Sequence, residues 1–126
     1  MIRGIRGATT VERDDAKEIL DHTKVLIIAM AEQNHVDPEE MSSICFTLTP
    51  DLHATFPAEA ARLVGWKYVP VICMRELDVP HGLPKTIRVL MHAEMDVPQA
   101  AVRHVYLERA TVLREDLANQ EVSHDS

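Results

Sequence analysis

The chain has 126 residues, of which 46% are hydrophobic, 26% charged and only 4% aromatic, as is typical of a single globular domain with an aliphatic core. Its formal net charge of −7 argues against nucleic acid and anionic membranes as partners, because both require a basic surface. Nine of the thirteen cations are arginines, which favours a small anionic ligand held by a local arginine cluster.

The sequence contains few of the usual signals for location or metal chemistry. The two cysteines, Cys45 and Cys73, form no CxxC motif and no disulfide framework, which predicts a reducing, cytoplasmic environment. The N-terminus has no apolar signal region and no segment reaches 18 apolar residues, so we expect neither secretion nor a membrane span. The seven histidines show no HxxH or HExxH spacing, and no P-loop, GxGxxG or GxSxG motif is present. We therefore expect no metal site.

The first predicted element is a strand within residues 1–15, which read MIRGIRGATTVERDD. With a period of two, Arg6 shares a face with Gly4 and Ala8, which leaves room beside its guanidinium. An arginine in solvent on a surface strand is one interpretation, and this stretch alone favours it. The alternative is an arginine that faces a ligand.

The following segments alternate between helices and strands. A helix is predicted from about residue 15 to 34, capped by Asp14, with an apolar stripe for packing on a sheet. A helical turn at 37–40, a strand at 43–49, a helix at 57–64 closed by Gly65, strands at 69–77 and 86–95, a turn at 96–99 and a last strand at 104–114 follow.

This order predicts an α+β domain with a mixed β-sheet and one long and one short helix packed on it. We expect residues 1–117 to form this single domain and residues 118–126 to be a mobile polar tail. The alternation of Ile, Val and Met in the strands predicts that the second sheet face is also partly apolar, and self-association through the sheet would cover it.

The candidate site residues are charged or polar side chains on the predicted strands. Arg88 stands between apolar residues, where a guanidinium needs a counter-charge. That partner is either Glu76, in an ion pair, or an anion on a ligand. Cys73 has no neighbouring histidine to activate it, and it differs from Glu76 in strand parity, so a shared site requires a bulge or a strand end between them. Tyr106 is either a core residue or a donor to a ligand carboxylate. Spacing alone does not name a reaction.

Five blocks of the sequence resemble one family. These blocks are MIRGIRGATTVERDD, PDLHATFPAEAAR, GWKYVPVICMREL, LPKTIRVLM and DVPQAAVRHVYLERATVLRED, and they look like the monofunctional bacterial chorismate mutases, a trimeric class whose protomer is a pseudo-α/β-barrel. The resemblance runs from residue 1 to about 117. It implies a cofactor-free Claisen rearrangement of chorismate to prephenate in aromatic amino-acid biosynthesis, at active sites between the subunits of a homotrimer.

The resemblance also implies roles for individual residues. Arg88 would donate to the ether oxygen, Glu76 and Cys73 would meet the ring hydroxyl, and Arg6 and Tyr106 would bind the side-chain carboxylate. The neighbouring subunit would contribute one wall of the pocket, formed by Phe56, Ala58 and Arg62, with Arg62 near the ring carboxylate. The segment that closes over the pocket would contain Leu113 and Arg114. No residue is implied as a metal ligand.

The chain departs from the family pattern at the mouth of the expected site. Ile72 stands where a threonine is familiar, and Glu59 where a lysine is common, which lowers the positive potential there. Two other classes of function remain open: a trimeric carboxylate-binding or metabolite-sensing module of the architecture that enamine/imine deaminases share, and a purely structural oligomerisation unit. Glu76 argues against a simple anion binder, which gains nothing from a carboxylate beside its ligand.

Overall fold

The computed structural model describes residues 1–113, so Arg114 and the expected tail at 118–126 lie outside the described residues. The elements are β1 (Ile2–Thr10), α1 (Ala16–Gln33), β2 (Met41–Leu48), α2 (Glu59–Leu63), β3 (Val71–Arg75), β4 (Thr86–Glu94) and β5 (Val105–Tyr106). Short 3-10 turns occur at Pro38–Glu40, Gln99–Ala101 and Glu108–Ala110. The predicted order of helices and strands is confirmed.

The five strands form one mixed sheet in the order β3-β2-β4-β1-β5. β4 pairs antiparallel with β1 and β2, whereas β1 with β5 and β2 with β3 are parallel pairs. The apolar stripe of α1 is buried as predicted and packs, with α2, on one sheet face. We call the other face, which carries Arg6, Thr47 and Arg88, the open face.

Gly7 allows α1 to approach the sheet closely. A Cβ placed on Gly7 would lie only 2.4 Å from the sulfur of Met30 and 3.1 Å from Leu26, both buried in the core. Because the core is closely packed, a larger residue here requires the Met30 side chain, or the helix that carries it, to shift. Glycine at this position therefore allows the observed close packing of α1 on β1.

The ends of both helices follow their sequence signals, with one correction. The side chain that caps α1 is Asp15, which accepts a hydrogen bond from the Glu18 amide, and not Asp14 as predicted. Gly65 closes α2 with φ of 93°, as predicted. The amides of Gly65 and Trp66 donate to Arg62 and Ala61, which is a complete Schellman motif.

The predicted last strand at 104–114 is wrong in length, because only Val105–Tyr106 pair with β1. The Leu107 amide still donates to the Ala8 carbonyl, but Glu108 then adopts a φ of 54°. A left-handed residue ends an extended strand. The alternating sequence does not reveal this turn, which moves the chain back across the end of β1.

Candidate active site

A row of four side chains crosses the open face. Thr47 on β2 pairs with Arg88 on β4, Arg88 pairs with Ala8 on β1, and Ala8 pairs with Tyr106 on β5. Arg6 lies two residues before Ala8 and shares its face. Because Ala8 is small, the two long side chains on either side of it have space above the sheet. The distant segments 6–8, 47, 88 and 106 thus meet at one place.

These residues line a groove of about 470 Å³. Its lining consists of Arg6, Gly7, Ala8, Cys45, Thr47, Met74, Glu76, Arg88, Val89, Leu90, Tyr106 and Leu113. Most of this surface is apolar, with two cations, one carboxylate and one phenol in it. Pockets of this size and character are suited to a small polar molecule whose orientation is fixed by a few charged groups.

Glu76 is held by two neighbours in the groove. Its Oε2 accepts a 2.5 Å hydrogen bond from the Thr47 hydroxyl and lies 3.4 Å from Nε of Arg88. The Arg88 side chain is 44% exposed, so this ion pair is half-exposed and not the fully buried pair considered from the sequence. The remaining N–H groups of Arg88 are therefore accessible to a ligand.

Arg6 provides a second cation without a carboxylate of its own. Within residues 1–113, no Asp or Glu oxygen lies within 4.0 Å of its guanidinium. Burial raises the pKa of the Tyr106 phenol, and the positive charges of Arg6 and Arg88 oppose part of this rise. Tyr106 is therefore a protonated donor at neutral pH, beside a cation that is free to bind an anion.

The remaining predicted residues line a separate cavity of about 340 Å³, which we call the wall cavity. Its lining includes Phe56, Ala58, Glu59, Arg62, Lys67, Ile72 and Cys73. The Phe56 side chain is largely exposed, at 74%. Nε of Arg62 lies 3.8 Å from Oε1 of Glu59, which offsets part of its charge. A single chain therefore carries two separate groups of candidate site residues.

Cys73 and Glu76 belong to different groups because they lie on opposite faces of the sheet. Cys73 pairs with Phe46, whose side chain is fully buried under the helices. β3 ends at Arg75, but the Glu76 amide still donates to the Leu48 carbonyl, so the alternation continues. The alternation that separates the two residues thus continues past the end of β3, and no bulge interrupts the pairing of β2 with β3. Within a single chain, these two residues do not meet.

The environment of Cys73 keeps its thiol neutral. Burial raises the pKa of this thiol, and a weak hydrogen bond from the Ala58 amide opposes part of the rise. A neutral thiol is a poor nucleophile. Cys73 can instead pack, or exchange a weak hydrogen bond with a ligand.

Of the predicted site residues, the groove brings together Arg6, Glu76, Arg88, Tyr106 and Leu113, and the wall cavity brings together Phe56, Ala58, Arg62 and Cys73. The prediction for Arg114 lies outside the described residues. Sequence reasoning missed Thr47, which orients Glu76. The alternation of β2 placed Thr47 on the polar face, but no sequence signal gives its register with Arg88.

Residues 1–113 contain no group of three His, Cys, Asp or Glu side chains that could hold a metal ion. In the same range, no helix is both long and apolar enough to cross a membrane.

A family model, related sequences and a solved structure all point to the same family. Residues 2–117 match the family described as chorismate mutase type I. The chain is 59% identical to the chorismate mutase AroH of Bacillus subtilis over 119 residues, which is 94% of each chain. It is 49% identical to AroH of Thermus thermophilus over 118 residues, 93% of this chain and 97% of that one.

A solved chorismate mutase from Clostridium thermocellum has the same fold. It matches with a TM-score of 0.86 and 47% identity, over 87% of this chain and 98% of that chain. The expected α+β architecture is thereby confirmed.

Proposed function

This chain belongs to the type I chorismate mutase family, and on that premise we propose how its two groups of residues convert chorismate to prephenate. The reaction is an isomerisation in which one C–O bond of the ether breaks while one C–C bond forms. Atoms and electrons balance without water, an oxidant or a covalent intermediate. Catalysis then requires only a fixed reactive conformation and stabilisation of the charge that develops as the bonds change.

Arg88 is the residue that we assign to the breaking bond. Its guanidinium donates to the ether oxygen, which gains negative charge as the C–O bond lengthens. A donor held in advance on a strand, with its Nε 3.4 Å from Glu76, stabilises this charge with little reorganisation. Glu76 holds Arg88 and meets the ring hydroxyl, and its carboxylate faces the positive charge that grows on the ring fragment.

The carboxylates of the substrate are bound by the other cations. We assign the side-chain carboxylate to Arg6 and Tyr106, because both line the groove, one as a guanidinium that has no carboxylate partner within residues 1–113 and the other as a protonated phenol. Arg62 lies near the ring carboxylate. Leu113 and Arg114 belong to the segment that closes over the substrate.

The neighbouring subunit provides the wall, in a homotrimer with active sites at the subunit interfaces. Two observations support this arrangement. Phe56, Ala58, Arg62 and Cys73 line a cavity separate from the groove, so only a second protomer can present them to it. The open face also carries exposed apolar side chains, namely Ile2, Ile72, Met74 and Leu90, which association would cover. Cys73 then meets the ring hydroxyl from across the interface, opposite Glu76.

Membership of an isomerase family decides against the non-catalytic alternatives considered from the sequence. We further propose that the enzyme acts in the cytoplasm, in aromatic amino-acid biosynthesis. Its free cysteines, Cys45 and Cys73, are compatible with a reducing compartment.

The observation that carries the mechanism is the convergence of Arg6, Arg88, Tyr106 and Glu76 in one groove. The direct test follows the loss of chorismate's ultraviolet absorbance on addition of purified protein, with prephenate identified as the product. A dialysed, chelator-treated sample is the control for metal dependence and should retain full activity. An inactive, correctly folded wild-type protein would contradict the proposal.

A further inference from the structure

The loop between β2 and α2 is fixed by a side chain from a distant element. Oδ1 of Asp14, just before α1, accepts hydrogen bonds of 2.9 Å from the amides of both His53 and Ala54. Its Oδ2 lies 3.2 Å from Nδ1 of the His53 ring. One carboxylate therefore binds two successive backbone amides, across 39 and 40 residues of sequence.

The other side of the same loop is held from β3. Nη1 of Arg75 donates to the carbonyls of Thr49 and Leu52, at 2.7 and 2.8 Å. The Leu52 side chain is fully buried in a small cluster beside α1. Residues 49–54 are thus fixed at both their amides and their carbonyls.

This fixed loop leads directly to Phe56, which is 74% exposed. A large aromatic side chain that is exposed on a rigid loop loses little conformational freedom when a partner covers it, which favours docking. The hydrogen bond that the His53 amide donates to Asp14 is the main factor that holds the pKa of this carboxyl below its usual range. The carboxylate therefore remains an acceptor throughout the neutral pH range.

We propose that Asp14 is a positioning residue for the reaction: by fixing residues 53 and 54, it places the Phe56–Ala58 wall that one protomer presents to its neighbour's groove. Within residues 1–113, the hydrogen bonds and the ion pair of Asp14 go to His53 and Ala54, neither of which lines the groove, so its effect is transmitted through the loop. This inference depends on the shared site described under Proposed function.

The adjacent Asp15 provides a matched control. Its carboxylate caps α1 through the Glu18 amide, and removing an N-cap destabilises a protein. Asp14→Ala and Asp15→Ala thus remove the same chemical group from neighbouring positions. Only the first of them releases the loop.

The first experiment compares kcat and KM for Asp14→Ala, Asp14→Asn and Asp15→Ala. We expect Asp14→Ala to raise KM on the order of tenfold, because small displacements of a positioning group weaken substrate binding, with a smaller change in kcat. Asp14→Asn should recover most of this loss, since its amide oxygen still accepts from the loop. Asp15→Ala should lower stability but keep a wild-type KM.

Two results would overturn the proposal. One is a KM for Asp14→Ala within twofold of wild type. The other is an equal rise in KM for Asp15→Ala, which would mean that general destabilisation, and not loop position, causes the effect.

The second experiment uses mixed assemblies, in which Asp14→Ala protomers are co-expressed with a large excess of Arg88→Ala protomers. A tag on the Asp14→Ala protomers isolates the assemblies that contain them. Arg88→Ala grooves contribute little turnover, but their walls are intact. We expect kcat/KM per Asp14→Ala groove to return to the wild-type value. Phe56→Ala, mixed in the same way, is the reference for a wall supplied by a neighbour.

The Phe56→Ala reference distinguishes the role of Asp14 from the role of the neighbouring subunit. Recovery with Phe56→Ala but not with Asp14→Ala would overturn the role of Asp14 and leave the proposed function intact. Recovery with neither would show that the neighbouring subunit does not provide the wall, and both proposals about the wall would fail.

Discussion

Arg88 and Glu76 face each other across β2, with Nε of Arg88 3.4 Å from Oε2 of Glu76, and the Thr47 hydroxyl between their strands donates to the same carboxylate oxygen. The pair is half-exposed at the floor of a groove. It therefore holds a guanidinium in a defined place while leaving its remaining donors accessible to a ligand.

The first prediction concerns this guanidinium. Arg88→Ala should lower kcat by at least ~10²–10³-fold, the usual cost of one lost donor to a developing negative charge, with a smaller rise in KM. Steady-state kinetics on chorismate measure both constants. Arg103→Ala, an exposed arginine outside the groove, is the control and should behave like wild type. A near-wild-type kcat for Arg88→Ala would refute the electrostatic role.

The second prediction concerns the charge at the wall cavity. Arg62→Ala should mainly raise KM, since we assign Arg62 to binding the ring carboxylate and not to the breaking bond. Glu59→Gln should lower KM by up to about fivefold at low salt, because it releases Arg62 from its ion pair with Glu59. Exposed ion pairs of this kind typically contribute about 0.2–1 kcal/mol. Salt near 1 M should remove this gain by screening.

The control for Glu59→Gln is Glu32→Gln, which removes the same negative charge from a position on α1 and should leave KM unchanged. A fall in kcat alone for Arg62→Ala would contradict its assignment to substrate binding.

The third prediction tests association through the open face. Leu90 is an exposed apolar residue on that face, so Leu90→Glu should place charges in the proposed interface and reduce the solution mass from the three chains of the proposed trimer to one. Val25→Glu makes the same change at an exposed position on α1 and should keep the assembly. Sedimentation equilibrium distinguishes the two. Retention of the wild-type mass by Leu90→Glu would argue against the open face as the interface.

The fourth prediction concerns the close approach of α1 to β1. Gly7→Ala should lower the free energy of unfolding by about 1–3 kcal/mol, because its Cβ would overlap the Met30 sulfur and overpack the core. Gly4→Ala is the control, since its Cβ would meet only Leu90, at 3.4 Å. Urea denaturation at a fixed protein concentration compares the variants, because the stability of the proposed trimer would depend on concentration. Equal losses in both would show that glycine flexibility, and not the contact, is responsible.

The fifth prediction follows from the neutral thiol of Cys73. Burial raises the pKa of Cys73 in the folded state, whereas an unfolded thiol has a pKa of about 8.5. Above that pH the unfolded chain releases this proton and the folded chain retains it, so stability falls as pH rises. Cys73→Ser has no thiol to ionise and should lose less stability between pH 8 and 9.5. Parallel losses in wild type and variant, by urea denaturation, would contradict the prediction.

The sequence by itself determined the order of the elements, the mixed α+β class and the faces of the strands, because alternation and helical periodicity are local properties. The family blocks also suggested the candidate residues of both groups. Local patterns were less reliable at element ends: Asp15 rather than Asp14 caps α1, and Glu108 ends the last strand early. Both depend on backbone dihedrals that the residue types at those positions permit but do not require.

Only the tertiary structure decided which of these residues meet. Strand register joins Thr47, Arg88, Ala8 and Tyr106 in one row, and register arises from pairing between segments that are distant in sequence. The same register separates Cys73 from Glu76, because uninterrupted alternation puts residues of opposite parity on opposite faces. A site assembled from long-range pairing and, as we propose, from two protomers cannot be read from one chain's local pattern.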